Sequence, residues 1–196
     1  MKKLLVSIVL VFTLSATTSS FVANPTVSVV EAKEKKKKAY TMTWKGFKKR
    51  WKREAKAFDL KSIAKIKNEA IDETNMGPTK IGKIKENLYV GLNTNRDADG
   101  DFGFISVSGR IVNDDSKESS KNNLDVRSAG SLAIFIADPN LSQKKRASII
   151  YDKLKINDAF EDGEERTYSY KGITYKAKYE YKRSNYGTFT VKVIEE

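Results

Sequence analysis

The stretch TYSYKGITYKAKYEY, residues 167–181, is the clearest indicator of how this chain folds. On both sides of Lys171-Gly172, apolar or aromatic residues alternate with polar ones, which is typical of strands that have one buried face. A two-residue connection of this kind joins the strands of a tight hairpin. After a second turn at 184–187, Phe189, Val191 and Val193 continue the alternation, so the sequence predicts a three-stranded antiparallel meander.

Residues 43–58 have a helical pattern. Thr43 is a good N-cap, and apolar residues follow it at spacings of three and four. These residues are Trp44, Phe47, Trp51, Ala55 and Phe58. The sequence therefore predicts an amphipathic helix with an aromatic stripe that packs on the sheet and a basic back.

The segment from 60 to 112 predicts mixed structure. Residues 60–72 favour a helix, although an extended segment fits almost as well, and Gly77-Pro78 predicts a turn over 75–79. Apolar and polar residues alternate from Ile84 to Leu92 and again over 102–112. This pattern predicts two strands of one long hairpin with a polar tip.

The second half predicts two core helices. Residues 113–123 contain no apolar side chain and predict a solvated loop, after which 124–137 predicts a buried helix that stops at Asp138-Pro139. Ser142 caps a second helix, whose expected inward residues are Ala147, Ile150, Tyr151 and Leu154. The predicted class is α+β, with helices packed on an antiparallel sheet, and the order of elements is compatible with a helix-then-strands pseudo-repeat.

The N-terminus is typical of an export signal. Lys2 and Lys3 precede an apolar run over 4–14, so residues 1–32 predict a cleavable signal peptide that ends at Ala32, with Ser20 as the other cleavage point. Residues 33–42 then predict a basic disordered tail, and 43–196 a single domain. An exported chain without cysteine cannot use disulfides, which favours a Gram-positive bacterium and a secreted or cell-wall location.

The chain also lacks histidine, and this limits its chemistry. Without histidine and cysteine there is no Ser-His-Asp triad, no cysteine nucleophile and no ordinary zinc site. Two Ser-x-x-Lys tetrads begin at Ser62 and Ser142, but the companion motifs of penicillin-recognising enzymes are missing. The acidic residues Glu161, Asp162, Glu164 and Glu165 could supply paired carboxylates for glycosidic cleavage, but four acids around Gly163 are more typical of a solvated loop. We therefore expect a protein that is not an enzyme and has no cofactor.

Positive charge is concentrated between residues 33 and 56, where twelve basic residues meet two acidic ones. The remainder, 57–196, holds 23 basic and 22 acidic residues, so it is close to neutral. The predicted anionic-surface site comprises Lys33, Lys35, Lys36, Lys37, Lys38, Lys45, Lys48, Lys49, Lys52, Arg53 and Lys56. Expected partners are an anionic wall polymer or a membrane surface, with a protein partner for the body. Nucleic acid is less favoured, because no recognised binding motif accompanies the charge.

A loop with three aspartates suggests a second hypothesis. Asp97, Asp99 and Asp101 match the start of a calcium loop, with Gly100 at the sharp turn. The closing glutamate is missing, because Ser106 stands in its place, and a hairpin tip explains the same residues. Weak calcium binding and insertion of this tip into a target's cleft, as in an inhibitor or immunity-type factor, stay as alternatives.

Tyrosines are frequent in the C-terminal meander and allow two interpretations. With nearby lysines they could form a stacking platform for sugars or bases. The alternation instead places the tyrosines opposite to most of the lysines, which favours core packing with hydroxyls at the rim. The residues are Tyr168, Tyr170, Tyr175, Tyr179, Tyr181 and Tyr186.

Overall fold

Seven antiparallel strands form one sheet in the computed structural model, which describes residues 43–74, 77–93, 103–112, 114, 116–158, 163–183 and 186–195. All of these residues belong to one unit, Lys35–Glu196, and the unit Met1–Glu34 lies outside the described part. The predicted signal peptide (1–32) and basic tail (33–42) therefore stay predictions.

The described elements run in the order helix, four strands, two helices and three strands. Their bounds are α1 Trp44–Ala57, β1 Lys67–Thr74, β2 Gly77–Lys85, β3 Leu88–Asn93, β4 Phe104–Val112, α2 Lys117–Ala137, α3 Gln143–Ala147, β5 Arg166–Ser169, β6 Ile173–Arg183 and β7 Tyr186–Glu195. A 3-10 turn, Lys61–Ile63, follows α1, and a π-helical segment, Ser148–Lys153, continues α3. The spatial order of the strands is β1-β2-β3-β4-β7-β6-β5. The predicted α+β class is confirmed, whereas the pseudo-repeat stays a prediction.

The predicted meander is confirmed as β5, β6 and β7. Tyr168 faces Tyr175 across the first hairpin, and Tyr175 faces Val193 across the second. Lys171 and Gly172 form the turn with φ angles of 52° and 70°. Left-handed angles at both central residues are what a tight two-residue hairpin requires.

One face of the sheet carries the core. Val90, Val107, Val191 and Ala177 lie in a row across β3, β4, β7 and β6, and all four are fully buried. Helix α2 covers the centre of this face, because it packs on β4 and β7. It approaches β7 closely at Gly130, where an added Cβ would lie 2.7 Å from Cγ2 of Val191.

The predicted helix over 60–72 is wrong. The segment contains the 3-10 turn and the edge strand β1, which pairs with β2 from Lys67 to Thr74. Ile63 and Ala64 are buried in the turn, so they need no helix to reach the core. The pairing of β1 with β2 corresponds to the extended segment that the sequence had left as the second interpretation.

The predictions around the first hairpins need correction as well. Strand β2 begins at Gly77, so the predicted turn at 75–79 is too long, and residues 75 and 76 lie outside the described part. The expected hairpin is confirmed as the pairing of β3 with β4, but its first strand begins at Leu88 and not at Ile84. A turn at Glu86 and Asn87, where Asn87 has a φ of 57°, separates it from β2. Asparagine tolerates this left-handed conformation, and β2 and β3 are therefore separate strands.

The predicted solvated loop over 113–123 is largely helix, since α2 begins at Lys117. Ser116 caps it by accepting a hydrogen bond from the Ser119 amide at 3.1 Å. Asn123 bonds the amide and carbonyl of Val112 through its side chain, and Asn122 donates to the carbonyl of Arg110 at 2.8 Å. The polar residues that suggested a loop thus tie the first turns of the helix to β4.

Three predicted core positions differ in the structure. Tyr151 is 56 % exposed, because the π-helical segment turns Ile149 inward instead. Phe58 is 37 % exposed and lies beyond Ala55, the last buried residue of α1. Tyr181 is 52 % exposed and lies beyond Tyr179, the last buried residue among the described side chains of β6. The predicted caps at Thr43 and Ser142 and the helix stop before Asp138-Pro139 are confirmed.

The tight approach at Gly130 generates a stability prediction. Substitution Gly130→Ala gains about 1 kcal/mol of helix propensity but forces overpacking against Val191, which costs about 1–3 kcal/mol. We expect a net loss of unfolding free energy in urea titrations. The loss should shrink in a Val191→Ala background, where the space opens.

Ser128→Ala on the same helix is the control for propensity alone. If Gly130→Ala raised the unfolding free energy as Ser128→Ala is expected to do, the close contact between α2 and β7 would be absent in solution.

Candidate functional site

Helix α1 places the aromatic half of the predicted arm in the core. Trp44 is 7 % exposed, and Phe47, Trp51 and Ala55 are fully buried. The indole Nε1 of Trp51 donates to the carbonyl of Ile63 at 2.8 Å, and Nε1 of Trp44 donates to Oε2 of Glu69 at 2.7 Å. The expectation that the aromatic stripe packs on the body is confirmed, so these rings are not available to a partner.

Arg50 also lies on the buried side of α1, although it is one of the twelve basic residues counted between 33 and 56 in the sequence. Its side chain is 6 % exposed. Burial lowers the pKa of Arg50, while the charge of Glu54 opposes this shift. Nearby, burial lowers the pKa of Arg146, and Asp138 and Glu54 oppose that change. Arg50 is buried and Arg146 is half-buried, and we call these two guanidinium groups the interior charge cluster.

Two of the predicted surface cations are engaged with carboxylates. Lys48 forms an ion pair with Glu69, and Arg53 pairs with its neighbour Glu54. The hydrogen bonds from Lys48 and Trp44 lower the pKa of the Glu69 carboxyl. The Lys48 and Glu69 pair therefore fastens α1 to the edge strand β1.

Four lysines remain on the outer side of the helix and form what we call the α1 stripe: Lys45, Lys49, Lys52 and Lys56. Their spacings of four, three and four residues place them on one line along the helix, about 16 Å long at 1.5 Å per residue. All four are exposed, and none has an ion pair with another described residue. The structure thus reduces the six predicted helix cations to one stripe of four.

The remaining predicted site residues lie outside the described residues. These are Lys33, Lys35, Lys36, Lys37 and Lys38 of the tail, and Asp97, Asp99 and Asp101 of the hairpin tip. Within the part of the chain that the structure describes, no three acidic side chains are grouped to hold a metal ion. Calcium binding by the three aspartates stays a prediction.

Both Ser-x-x-Lys serines have structural partners. Ser62 Oγ donates to Oδ1 of Asp125 at 2.7 Å, and Lys85 Nζ donates to the other oxygen of that carboxylate at 2.8 Å. Ser142 Oγ accepts from the Lys145 amide at 3.2 Å as the cap of α3. The serines therefore hold helices in place in this structure.

The structure forms a second basic cluster that sequence reasoning missed. Tyr168 and Tyr170 have nearly parallel rings, 12° apart with centroids separated by 6.5 Å. Lys145 Nζ lies 4.9 and 4.2 Å from their centroids and donates to the Tyr168 hydroxyl at 2.6 Å. Lys153 and Lys171 approach the same two rings. We call these five residues the tyrosine–lysine cluster.

Sequence reasoning associated the tyrosines with the wrong lysines. Lys176, Lys178, Lys182 and Lys192 alternate away from the core side of β6 and β7, as predicted. Lys145 and Lys153 come from α3 and the π-helical segment instead, 23 and 15 residues before Tyr168 in the chain. The run of Lys144, Lys145 and Arg146 beside a helix cap was the signal that could have drawn attention to them.

The face of the sheet opposite to the helices is polar. Lys176 and Lys192 are direct cross-strand partners there, and Ser106 is the next residue in the same row. Burial lowers the pKa of Lys192, whose Nζ lies 4.3 Å from the centroid of Phe104, and the charge of Lys176 adds to this effect. Glu165 partly balances Lys176 at 3.8 Å.

Comparisons with known proteins give no relative for this chain. No protein family, no curated protein and no solved structure matches it. Among the described helices, none is long and apolar enough to cross a membrane.

The Glu69 contacts predict a pH-dependent contribution to stability. Because the folded state lowers the pKa of Glu69, its carboxylate form favours folding at neutral pH, and this contribution is lost as the pH falls below the ordinary value of 4.5. Glu69→Gln should therefore lower the unfolding free energy at neutral pH. The difference from the natural chain should narrow in acid, as followed by tryptophan fluorescence in urea.

Asp152→Asn removes the same charge from an exposed position and serves as the control. A Glu69→Gln chain with the same deficit at neutral and acidic pH would contradict the role of the carboxylate.

Proposed function

We propose that this protein is an exported, non-enzymatic binding protein that its basic N-terminal arm holds reversibly at an anionic cell surface. The observation that carries the proposal is the α1 stripe, in which four exposed lysines form one line. Lysine side chains near an anionic membrane each contribute about 1 kcal/mol, so the stripe supplies up to about 4 kcal/mol. The tail lysines at 33 and 35–38 would add to this attraction.

The mode of attachment follows from which side chains of α1 are buried and which are exposed. Trp44, Phe47 and Trp51 are buried, so the outer side of α1 offers lysines and not rings to a lipid surface. Attachment then depends on charge and must weaken as salt screens it, with a Debye length of about 10 Å at 0.1 M. A wall polymer and an anionic membrane both offer such a surface.

Export is the second part of the proposal. It rests on the signal-like residues 1–32 and on the lack of cysteine, which together favour the outside of a Gram-positive cell. The neutral body would then bind a further partner, such as a protein. The inhibitor-type and calcium-binding alternatives depend on residues near 97–101, which lie outside the described part.

The test compares two variants that lose equal charge. In the stripe variant, the four lysines of the α1 stripe are replaced by glutamine. In the control variant, glutamine replaces four other exposed lysines: Lys65, Lys117, Lys121 and Lys155. Binding is measured by co-sedimentation with phosphatidylglycerol vesicles and, separately, with a glycerol-phosphate polymer. We expect the stripe variant to bind at least about tenfold more weakly, and the control to stay within about twofold.

The vesicle and polymer measurements also show which surface is used, because the protein can bind to one of them and not to the other. If both variants lost the same amount of binding affinity, binding would depend on net charge alone and the arrangement of the stripe would have no role. Binding that persists between about 0.05 and 0.5 M salt would contradict electrostatic attachment.

A further inference from the structure

The tyrosine–lysine cluster brings three ammonium groups to two neighbouring rings. Lys145 and Lys153 lie 4.9 and 5.7 Å from the centroid of Tyr168. Lys145 and Lys171 lie 4.2 and 5.4 Å from the centroid of Tyr170. Each ring is therefore shared by two cations, and Lys145 belongs to both.

The charge of this cluster is not balanced within the described residues. None of its three lysines forms an ion pair with a described carboxylate. The ring faces attract the cations, but each such contact is worth only about 0.5–2 kcal/mol and leaves the full charge in place. Three like charges held close together favour an anion beside them.

The hydrogen-bonding groups of the cluster suit an oxyanion. The Tyr168 hydroxyl accepts from Lys145 at 2.6 Å, so its own proton remains to be donated. The Lys145 ammonium has two further N–H groups, and Lys153 and Lys171 have three each. The rings are half-buried, whereas Lys153 and Lys171 are exposed, so a ligand can enter from solvent.

We propose that Lys145, Lys153, Lys171 and the Tyr168 hydroxyl form a binding site for a phosphate group. A phosphate ester offers up to two negative charges and several acceptor oxygens, which match three ammonium groups and a hydroxyl donor. A carboxylate has one charge and two oxygens, so it fills fewer of these positions. The site shares no residue with the α1 stripe and does not depend on the proposed function.

The chemistry is common to inorganic phosphate, phosphate monoesters and phosphodiester polymers, so the test has an arm for each. The full chain is titrated with inorganic phosphate, with glycerol 3-phosphate and with a glycerol-phosphate polymer, and acetate is the carboxylate comparison. NMR follows the ring signals of Tyr168 and Tyr170. We expect saturable shifts with at least one phosphate probe below about 10 mM, and weaker binding of acetate.

The variants separate a formed site from general attraction. Lys145→Gln should weaken phosphate binding about tenfold or more, because it removes a charge-assisted hydrogen bond. Lys144→Gln removes the same charge from the adjacent exposed residue and should change binding by less than about twofold. Tyr168→Phe should weaken binding severalfold, whereas Tyr170→Phe keeps the ring and should bind normally.

Three results would overturn the proposal. They are the absence of saturable shifts with all three phosphate probes, equal weakening by Lys144→Gln and Lys145→Gln, and acetate binding as tight as phosphate. If Lys145→Gln disturbs the fold, as a changed NMR spectrum would show, Lys153→Gln at an exposed position takes its place. It must then weaken binding more than Lys144→Gln does.

Discussion

The buried indole of Trp51 fixes the position of α1, and much of the remaining structure depends on that position. Its Nε1 donates to the carbonyl of Ile63, the last residue of the 3-10 turn. The fully buried Phe47 and Trp51 each contribute about 3 kcal/mol of hydrophobic stabilisation. Like-charged lysines three or four residues apart cost only about 0.2–0.5 kcal/mol per pair. Burial therefore outweighs repulsion along the α1 stripe, and the charges stay together.

The same packing connects α1 to the tyrosine–lysine cluster. Phe58 meets Phe135 of α2 edge to face, with centroids 4.9 Å apart, and the Arg146 guanidinium lies 4.1 Å from the centre of the Phe135 ring. Arg50 lies close enough to Arg146 for their repulsion to contribute to its lowered pKa. These contacts set α3 beside α1, and Lys145 is the residue before Arg146. The interior charge cluster thus helps to place a lysine over the two tyrosines.

The sequence predicted the parts of this fold in which one local pattern had one meaning. The meander followed from alternation around Lys171-Gly172, and α1 from the Thr43 cap and its aromatic spacing. Prediction was wrong where polar residues act through tertiary contacts: Asn122 and Asn123 resemble loop residues until β4 supplies their partners. The π-helical segment buries Ile149 fully, leaves Ile150 partly buried and exposes Tyr151, and a regular 3.6-residue period cannot anticipate that pattern.

The candidate sites were predictable to different degrees for a related reason. A charged helix face is a local property, so the α1 stripe follows from spacing once three cations are removed: Arg50 by burial, Lys48 by its contact with Glu69 of β1, and Arg53 by its pair with the neighbouring Glu54. The tyrosine–lysine cluster joins residues from α3, the π-helical segment and a hairpin turn, and no local pattern contains all three. The alternation in the sequence predicted tyrosine hydroxyls at the rim of the core, but it did not predict the lysines that lie beside the rings.

The two surfaces should also differ in selectivity, because they hold their charges differently. The α1 stripe consists of long side chains in water, and such charges respond to the density of an anionic surface more than to its chemical structure. In the cluster, two ring faces and the Tyr168 hydroxyl hold the Lys145 ammonium at distances of 4.2–4.9 and 2.6 Å. A donor that is held before the ligand arrives loses less side-chain entropy on binding. The cluster can therefore distinguish a phosphate from another anion, whereas the stripe attracts both.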